Sequence, residues 1–157
     1  MAGLYYSYMN RRSAAAIKPA PVSKTRQLMR TLVSASHAVE DRWETALAHA
    51  QLSGPKFIAL TVLIEAGEPL SLGDLAARLT CVRSNITQLV DRLEGDRLVR
   101  RVEDPTDRRG KRAEVTALGV QRQAAGERQV QKVLKELDKI LAGCDRQAME
   151  RMLTALL

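Results

Sequence analysis

One stretch of this chain breaks an otherwise helical rhythm. From Ser23 onward apolar residues recur at about 3.6-residue spacing, except across LVRRVEDPTDRRGKRAEVT, residues 98–116. There, two short runs rich in β-branched and apolar residues flank a centre punctuated by Pro105 and Gly110, the pattern of two strands around a turn. That centre carries Arg108, Arg109, Lys111 and Arg112. The expected fold is mainly α with a small β-hairpin, and the hairpin's tip is cationic.

The helices read as follows. Leu28, Leu32, Ala35, Val39, Trp43, Ala46 and Ala50 form one stripe of a long first helix. Ser53-Gly54-Pro55 is a start signal, because proline is tolerated in a first helical turn. FIALTVLIEAG then makes a short, largely buried second helix closed by Gly67. Ser71 with Asp74 three residues on opens a third helix with Leu75, Ala76 and Leu79 inward. After a break at residues 80–82, a fourth helix runs from about Arg83 to Glu94 with Ile86, Leu89, Val90 and Leu93 inward. Beyond the hairpin, Val130, Val133, Leu134, Leu137, Ile140 and Leu141 mark a fifth helix ended by Gly143, and Met149, Met152, Leu153 and Leu156 a sixth. Residues 1–22, with Pro19 and Pro21, have no helical period and are expected to be a mobile basic arm, with phosphate contact as the alternative role.

Charge has to be read by place. The formal net charge is +7, yet residues 1–30 hold six basic and no acidic side chains, so most of the excess lies in this N-terminal segment. The local signal is at 97–112, where seven basic residues face three acidic ones. Tyr5, Tyr6, Tyr8, Trp43 and Phe57 are the only aromatics, so the core must be aliphatic. No apolar run is long enough to span a bilayer and no signal-peptide pattern opens the chain, so a cytoplasmic location without membrane attachment is expected. Cys81 and Cys144 form neither a disulfide framework nor a zinc spacing, and His37 and His49 do not converge on a metal. No phosphate loop, nucleophile elbow or paired-carboxylate motif is present, so neither an enzyme nor a cofactor is expected.

The third and fourth helices, joined by a tight turn, have the form of a helix-turn-helix. A helix that enters a major groove about 12 Å wide must keep its apolar stripe on its own domain and show hydrogen-bonding groups outward. Arg83, Ser84, Asn85, Thr87 and Gln88 are left on that outer face. Arg83 can be bidentate to guanine, Asn85 and Gln88 to adenine, and Ser84 and Thr87 can hold phosphates or thymine edges. Taken alone, a solvated polar face on a surface helix is the preferred reading, although the lack of acidic residues at 83–88 favours the groove. A cationic ribbon directly after this helix can reach the adjacent minor groove, whose negative potential attracts inserted Arg, and Asp107 can aim Arg109 through a bidentate pair. A merely solvated loop remains the alternative for the hairpin taken alone.

LGDLAARL, VRSNITQLVDRLE, LVRR and DPTDRR followed by VTALG resemble, in combination, the MarR family of winged helix-turn-helix regulators, closely over residues 70–119 and in architecture over 24–157. The resemblance implies a recognition helix at 83–94, a wing at 98–116 and an Asp-x-Arg element at Asp107 and Arg109. It implies homodimers joined through N- and C-terminal helices. The domain plan is then an arm, 1–22, and one domain, 23–157, with dimerisation helices at 23–52 and 117–157 and the double-stranded-DNA-binding lobe at 53–116. Two positions depart from the pattern. Arg97 stands where glycine is usual before the first wing strand, which is expected to alter that turn, and Val82 stands where Ser or Thr usually caps the recognition helix.

The function implied is a homodimeric, sequence-specific transcriptional regulator, a ligand-responsive repressor on a pseudo-palindromic operator. Trp43 and Phe57 are candidates to line a small-molecule effector pocket, with plain core packing the alternative. A winged-helix protein-interaction module and a thiol-based redox regulator using Cys81 or Cys144 are the rival readings.

Overall fold

The computed structural model describes residues 23–80, 83–105, 107 and 110–156, without the side chains of Arg83 and Ser84. The arm 1–22, Cys81, Val82, Arg108 and Arg109 lie outside the described residues. The chain divides into two units, residues 1–37 and 38–157. Helix α1, Lys24–Ala48, begins in the first unit, where Leu28, Met29 and Val33 are all at least half exposed. The expected apolar stripe exists, but only its C-terminal end is buried: Ala46 and Leu47, followed by Ala50.

Gln51 then adopts a left-handed φ of 57°, which reverses the chain into α2, Gly54–Ala66. The Gly54 N–H donates to Glu44 Oε1 at 3.0 Å, so a side chain of α1 satisfies one of the orphan donors at the α2 N-terminus. Helix α2 is apolar nearly all round and packs against α3, α4, α5 and the sheet, as an element buried on several sides must. Gly67, at φ 68°, closes it and donates its N–H to the Ile64 carbonyl.

Leu70–Ser71 forms a two-residue strand, β1, before α3, Leu72–Arg78. The capping expected at Ser71 is present: its hydroxyl accepts from the Asp74 N–H at 3.1 Å and donates to Asp74 Oδ2 at 2.7 Å. Thr80, at φ 52°, turns the chain toward α4, Arg83–Gly95. Ile86, Val90 and Leu93 of α4 are fully buried and Leu89 partly so, the inward set its spacing predicts.

In the turn after α4, Arg97 takes φ 61°, a left-handed conformation that a glycine adopts without penalty and a side chain only with strain. The Thr116 hydroxyl donates to the Arg97 carbonyl at 2.8 Å and holds that turn from the far side of the hairpin. Strands β2, Val99–Glu103, and β3, Lys111–Val115, pair antiparallel from Val99–Val115 to Glu103–Lys111. Strand β1 adds to β3, with Leu70 opposite Ala113, so the sheet has three strands in the order β1-β3-β2 where a plain hairpin was expected.

Helix α5, Ala117–Ile140, begins well before the apolar set that announced it, with Thr116 as N-cap accepting from the Gly119 N–H at 3.0 Å. Its first half packs on α2, where Gly126 lets Phe57 and Leu47 approach. A short 3-10 turn, Leu141–Gly143, leads to α6, Arg146–Thr154, capped by Asp145. Leu134, Ile140, Met152, Leu153 and Leu156 on these last helices are exposed.

Candidate nucleic-acid interface

Helix α4 shows solvent what a groove reader needs. With Ile86, Leu89, Val90 and Leu93 turned inward, Asn85, Thr87 and Gln88 are exposed on its N-terminal half. At about 100° per residue the outward side divides into two flanks. Asn85, Gln88 and Arg92 follow one another along the first; Thr87, Asp91 and Glu94 follow one another along the second. Arg92 is exposed and was not among the residues singled out from the sequence.

The second flank is joined to the hairpin. Arg101, on β2, donates from Nη2 to Asp91 Oδ1 at 2.5 Å and from Nη1 to Glu94 Oε2. Its backbone N–H donates to Glu94 Oε1 at 3.2 Å. The hydrogen bond to Asp91, aided by that to Glu94, raises the Arg101 pKa further above its ordinary value against the opposing effect of partial burial. Sequence reasoning missed this residue, although a signal existed. With Val99 facing inward, the two-residue period of a strand puts Arg101 on the same side, facing carboxylates spaced i, i+3 on the preceding helix.

The remaining wing cations divide into held and outward groups. Arg112 forms a bidentate pair with Asp104, Nε to Oδ2 at 2.8 Å and Nη2 to Oδ1 at 3.2 Å. Its Nη1 also donates to the Pro69 carbonyl at 3.4 Å, so this arginine ties the tip end of the ribbon to the segment before β1. Lys111 lies 3.4 Å from Glu103 across the strands, and both side chains are open to water. Arg100 and Glu114 pair across β2 and β3 at 2.6 Å on the sheet's outer face. The Arg100 hydrogen bond, more than its charge, draws the Glu114 carboxyl below the usual range. At the turn, the Gly110 N–H donates to the Asp107 carbonyl at 2.8 Å, and a Cβ at Gly110 would come within 3.0 Å of the Asp104 Cβ. Asp107 is exposed there.

Trp43 and Phe57, the effector-pocket candidates, are brought together. Their rings meet edge to face with centroids 6.1 Å apart, and Phe57 is buried in the main core. Nearby, a groove of about 370 Å3 between α1 and α5 has Ala46 and Val133 among its lining, with Asp41, Arg42, Lys132 and Glu136 also bordering it. Among the described residues no group of three His, Cys, Asp or Glu is placed to hold a metal, and no helix is long and apolar enough to cross a membrane. Cys144 is exposed.

Two helices close in sequence, the second exposing a polar edge, followed by a β2–β3 ribbon that β1 widens to a three-stranded sheet, define a winged helix-turn-helix fold. Residues 50–110 match the MarR family. The chain is 26% identical over 121 residues to the uncharacterized HTH-type transcriptional regulator YsmB of Bacillus subtilis (strain 168), covering 77% of each. It is 36% identical over 89 residues to the HTH-type transcriptional regulator TtmR of Methylorubrum extorquens (strain PA1), covering 57% of this chain and 45% of that one. The transcriptional repressor CouR bound to a 23-mer DNA duplex superposes with a TM-score of 0.69 at 26% identity, over 85% of this chain and 92% of that one. CouR from Rhodococcus jostii RHA1 bound to p-coumaroyl-CoA superposes with a TM-score of 0.65 at 24% identity, over 87% and 93%. Over residues 50–110, then, the chain matches the MarR family, and it shares its winged helix-turn-helix fold with the repressor CouR.

Proposed function

We propose that this regulator is a homodimer that reads a pseudo-palindromic operator through α4 and the wing, and that a small molecule releases it, as for a repressor. The observation that carries the reading is the exposed edge Asn85, Thr87 and Gln88, with a cationic ribbon anchored beside the same helix through Arg101. Asn85 and Gln88 have the amide pair that matches adenine's donor and acceptor in the major groove. Arg83 and Ser84, at the helix start, complete the reading edge, with Arg83 suited to guanine. Arg108, Arg109 and Lys111 supply the charge at the wing tip, Arg109 entering the minor groove with Asp107 aiming it. Arg112, held by Asp104, keeps the ribbon at its angle.

Dimerisation is supported by aliphatic surface left open in each unit: Leu28, Met29 and Val33 in the first, Ile140, Leu153 and Leu156 in the second. Exposed large aliphatic side chains, where they gather, are characteristic of association sites. The plan of an arm, 1–22, dimerisation helices at 23–52 and 117–157, and a reading lobe at 53–116 follows from the same assignment. Paired recognition helices would then read half-sites about 10–10.5 bp apart. The proposal of an effector draws on the CoA-ester-bound CouR and on Trp43 and Phe57 packing between α1 and α2. A ligand lowers operator affinity only by preferring the weaker-binding state.

The test is a gel-shift series in increasing salt. Arg109→Ala should weaken binding to cognate and random duplexes alike, whereas Asn85→Ala and Gln88→Ala should each cost roughly 1–3 kcal/mol on cognate DNA only. Equal losses on both duplexes at both helix positions would defeat the base-reading assignment. Salt-insensitive binding to a protein partner, without DNA binding, would favour an interaction module instead.

A further inference from the structure

Helix α4 carries an internal contradiction as a DNA reader. Asp91 and Glu94 lie on its outward side, and a carboxylate facing a phosphate is repelled. Both are taken by one residue. Arg101 reaches Asp91 with one arm of its guanidinium, Glu94 with the other, and the second Glu94 oxygen with its own backbone N–H. The Arg101 side chain is 24% exposed, against 56% for Asp91 and 40% for Glu94, so the cation is the enclosed member of the cluster. Only a planar fork spans two acceptors at fixed angles; an ammonium on a flexible stem does not.

The consequence is geometric. Arg101 is the middle residue of β2, so the contacts that occupy the acidic flank of α4 also set the direction in which the ribbon leaves the helix. Helix α4 and β2 are otherwise joined by the short turn 96–98, whose Arg97 is already in a left-handed conformation. The opposite flank, Asn85, Gln88 and Arg92, is left to face outward. Arg92 has no hydrogen bond or ion pair among the described residues, in contrast to Arg100, Arg101, Lys111 and Arg112, which all have partners.

We infer that Arg101 is a positioning residue that locks the wing to the recognition helix through Asp91 and Glu94, so that helix and wing engage a duplex as one body. The inference rests on the proposed DNA-reading role of α4 and the wing. Arg101 itself does not touch the duplex; its effect passes through the wing tip.

Two measurements test it. The first needs no DNA: amide hydrogen exchange on the whole chain and on Arg101→Gln. The wing amides at 102–104 and 110–112 should exchange roughly 10-fold faster in the variant, with α2, α5 and the buried half of α4 unchanged. Unchanged wing exchange, or equal acceleration throughout the core, overturns the inference. The second uses a duplex enriched by the unaltered protein from a randomised pool, titrated with Arg101→Gln, Arg109→Ala and the double variant. Arg101→Gln alone should weaken binding ~10-fold, and Arg109→Ala should cost ~10-fold in the unaltered background but under ~2-fold once Arg101 is replaced. Arg101→Lys, keeping charge without the fork, should recover only part of the loss. Full recovery by lysine, or losses that multiply independently, overturns the coupling. If the wing loosens as expected but the pool yields no enriched duplex, the DNA-reading role falls while the lock between wing and helix stands.

Discussion

Gly119 stands where α5 starts against the hairpin, and its missing side chain is a requirement of that junction. A Cβ there would lie 2.1 Å from the Leu98 carbonyl oxygen and 2.8 Å from Val115 Cγ2. Backbone cannot yield as a side chain can, so Gly119→Ala should destabilise by about 3 kcal/mol, at the upper end of overpacking costs. Gly95 is the contrast: it ends α4, and a methyl added there would meet nothing within 4 Å, so Gly95→Ala should stabilise by about 0.5–1 kcal/mol. Thermal melting of the two variants checks both signs, and a Gly119→Ala melting point equal to the parent's would remove the close approach. Arg97 makes the complementary case, a side chain where a glycine belongs. Arg97→Gly should raise stability by about 0.5–1 kcal/mol, because the relieved left-handed strain exceeds the added freedom of the unfolded chain. A lower melting point would mean that the arginine side chain holds the turn by a contact worth more than its strain. The sequence marked Arg97 as a departure from the family pattern; the strained φ it takes was not legible there.

Among the elements, what was legible depended on which physical signal each one uses. Helix α4 buries a continuous aliphatic stripe, so its inward residues were readable from spacing alone. The first half of α5 was not readable in this way, because Gly119 and Gly126 supply much of its buried surface and add nothing to an apolar period. Strand β1 is two residues long, too short for any alternation, and exists because Leu70 and Ser71 lie beside β3. Within the wing, pairing distinguishes the cations: Arg101 is tied to Asp91 and Glu94 and Arg112 to Asp104, while Lys111 and its partner Glu103 are open to water. Arg100 and Glu114 give the wing a pH-sensitive link. The Glu114 carboxyl titrates below its unfolded range, so the link is fully present above the ordinary carboxylate pKa of about 4.3 and fades as pH falls through the lower folded value. A side-chain NMR titration should place the Glu114 midpoint below that of an ordinary glutamate, and Arg100→Gln should return it there. The pair is exposed, so added salt should shrink the difference.

For the whole molecule, the family resemblance and the winged helix-turn-helix were legible because a few spaced motifs encode them locally. Association came only from that resemblance, because a stripe facing a partner and a stripe facing the chain's own core have the same period. Ile140, Leu153 and Leu156 are exposed, and the proposed dimer rests on that surface. Leu153→Glu should therefore leave the fold intact and shift sedimentation from dimer toward monomer, and unchanged sedimentation would exclude α6 from the interface. On the proposed function, two copies lay α4 and the wing along one face of a duplex. Hydroxyl-radical footprinting on an enriched duplex reads this directly. Two protected segments related by a dyad and centred about 10–10.5 bp apart are expected, with Arg109→Ala erasing the minor-groove protection and sparing the rest. A single undivided footprint, or one that Arg109→Ala leaves unchanged, would contradict it.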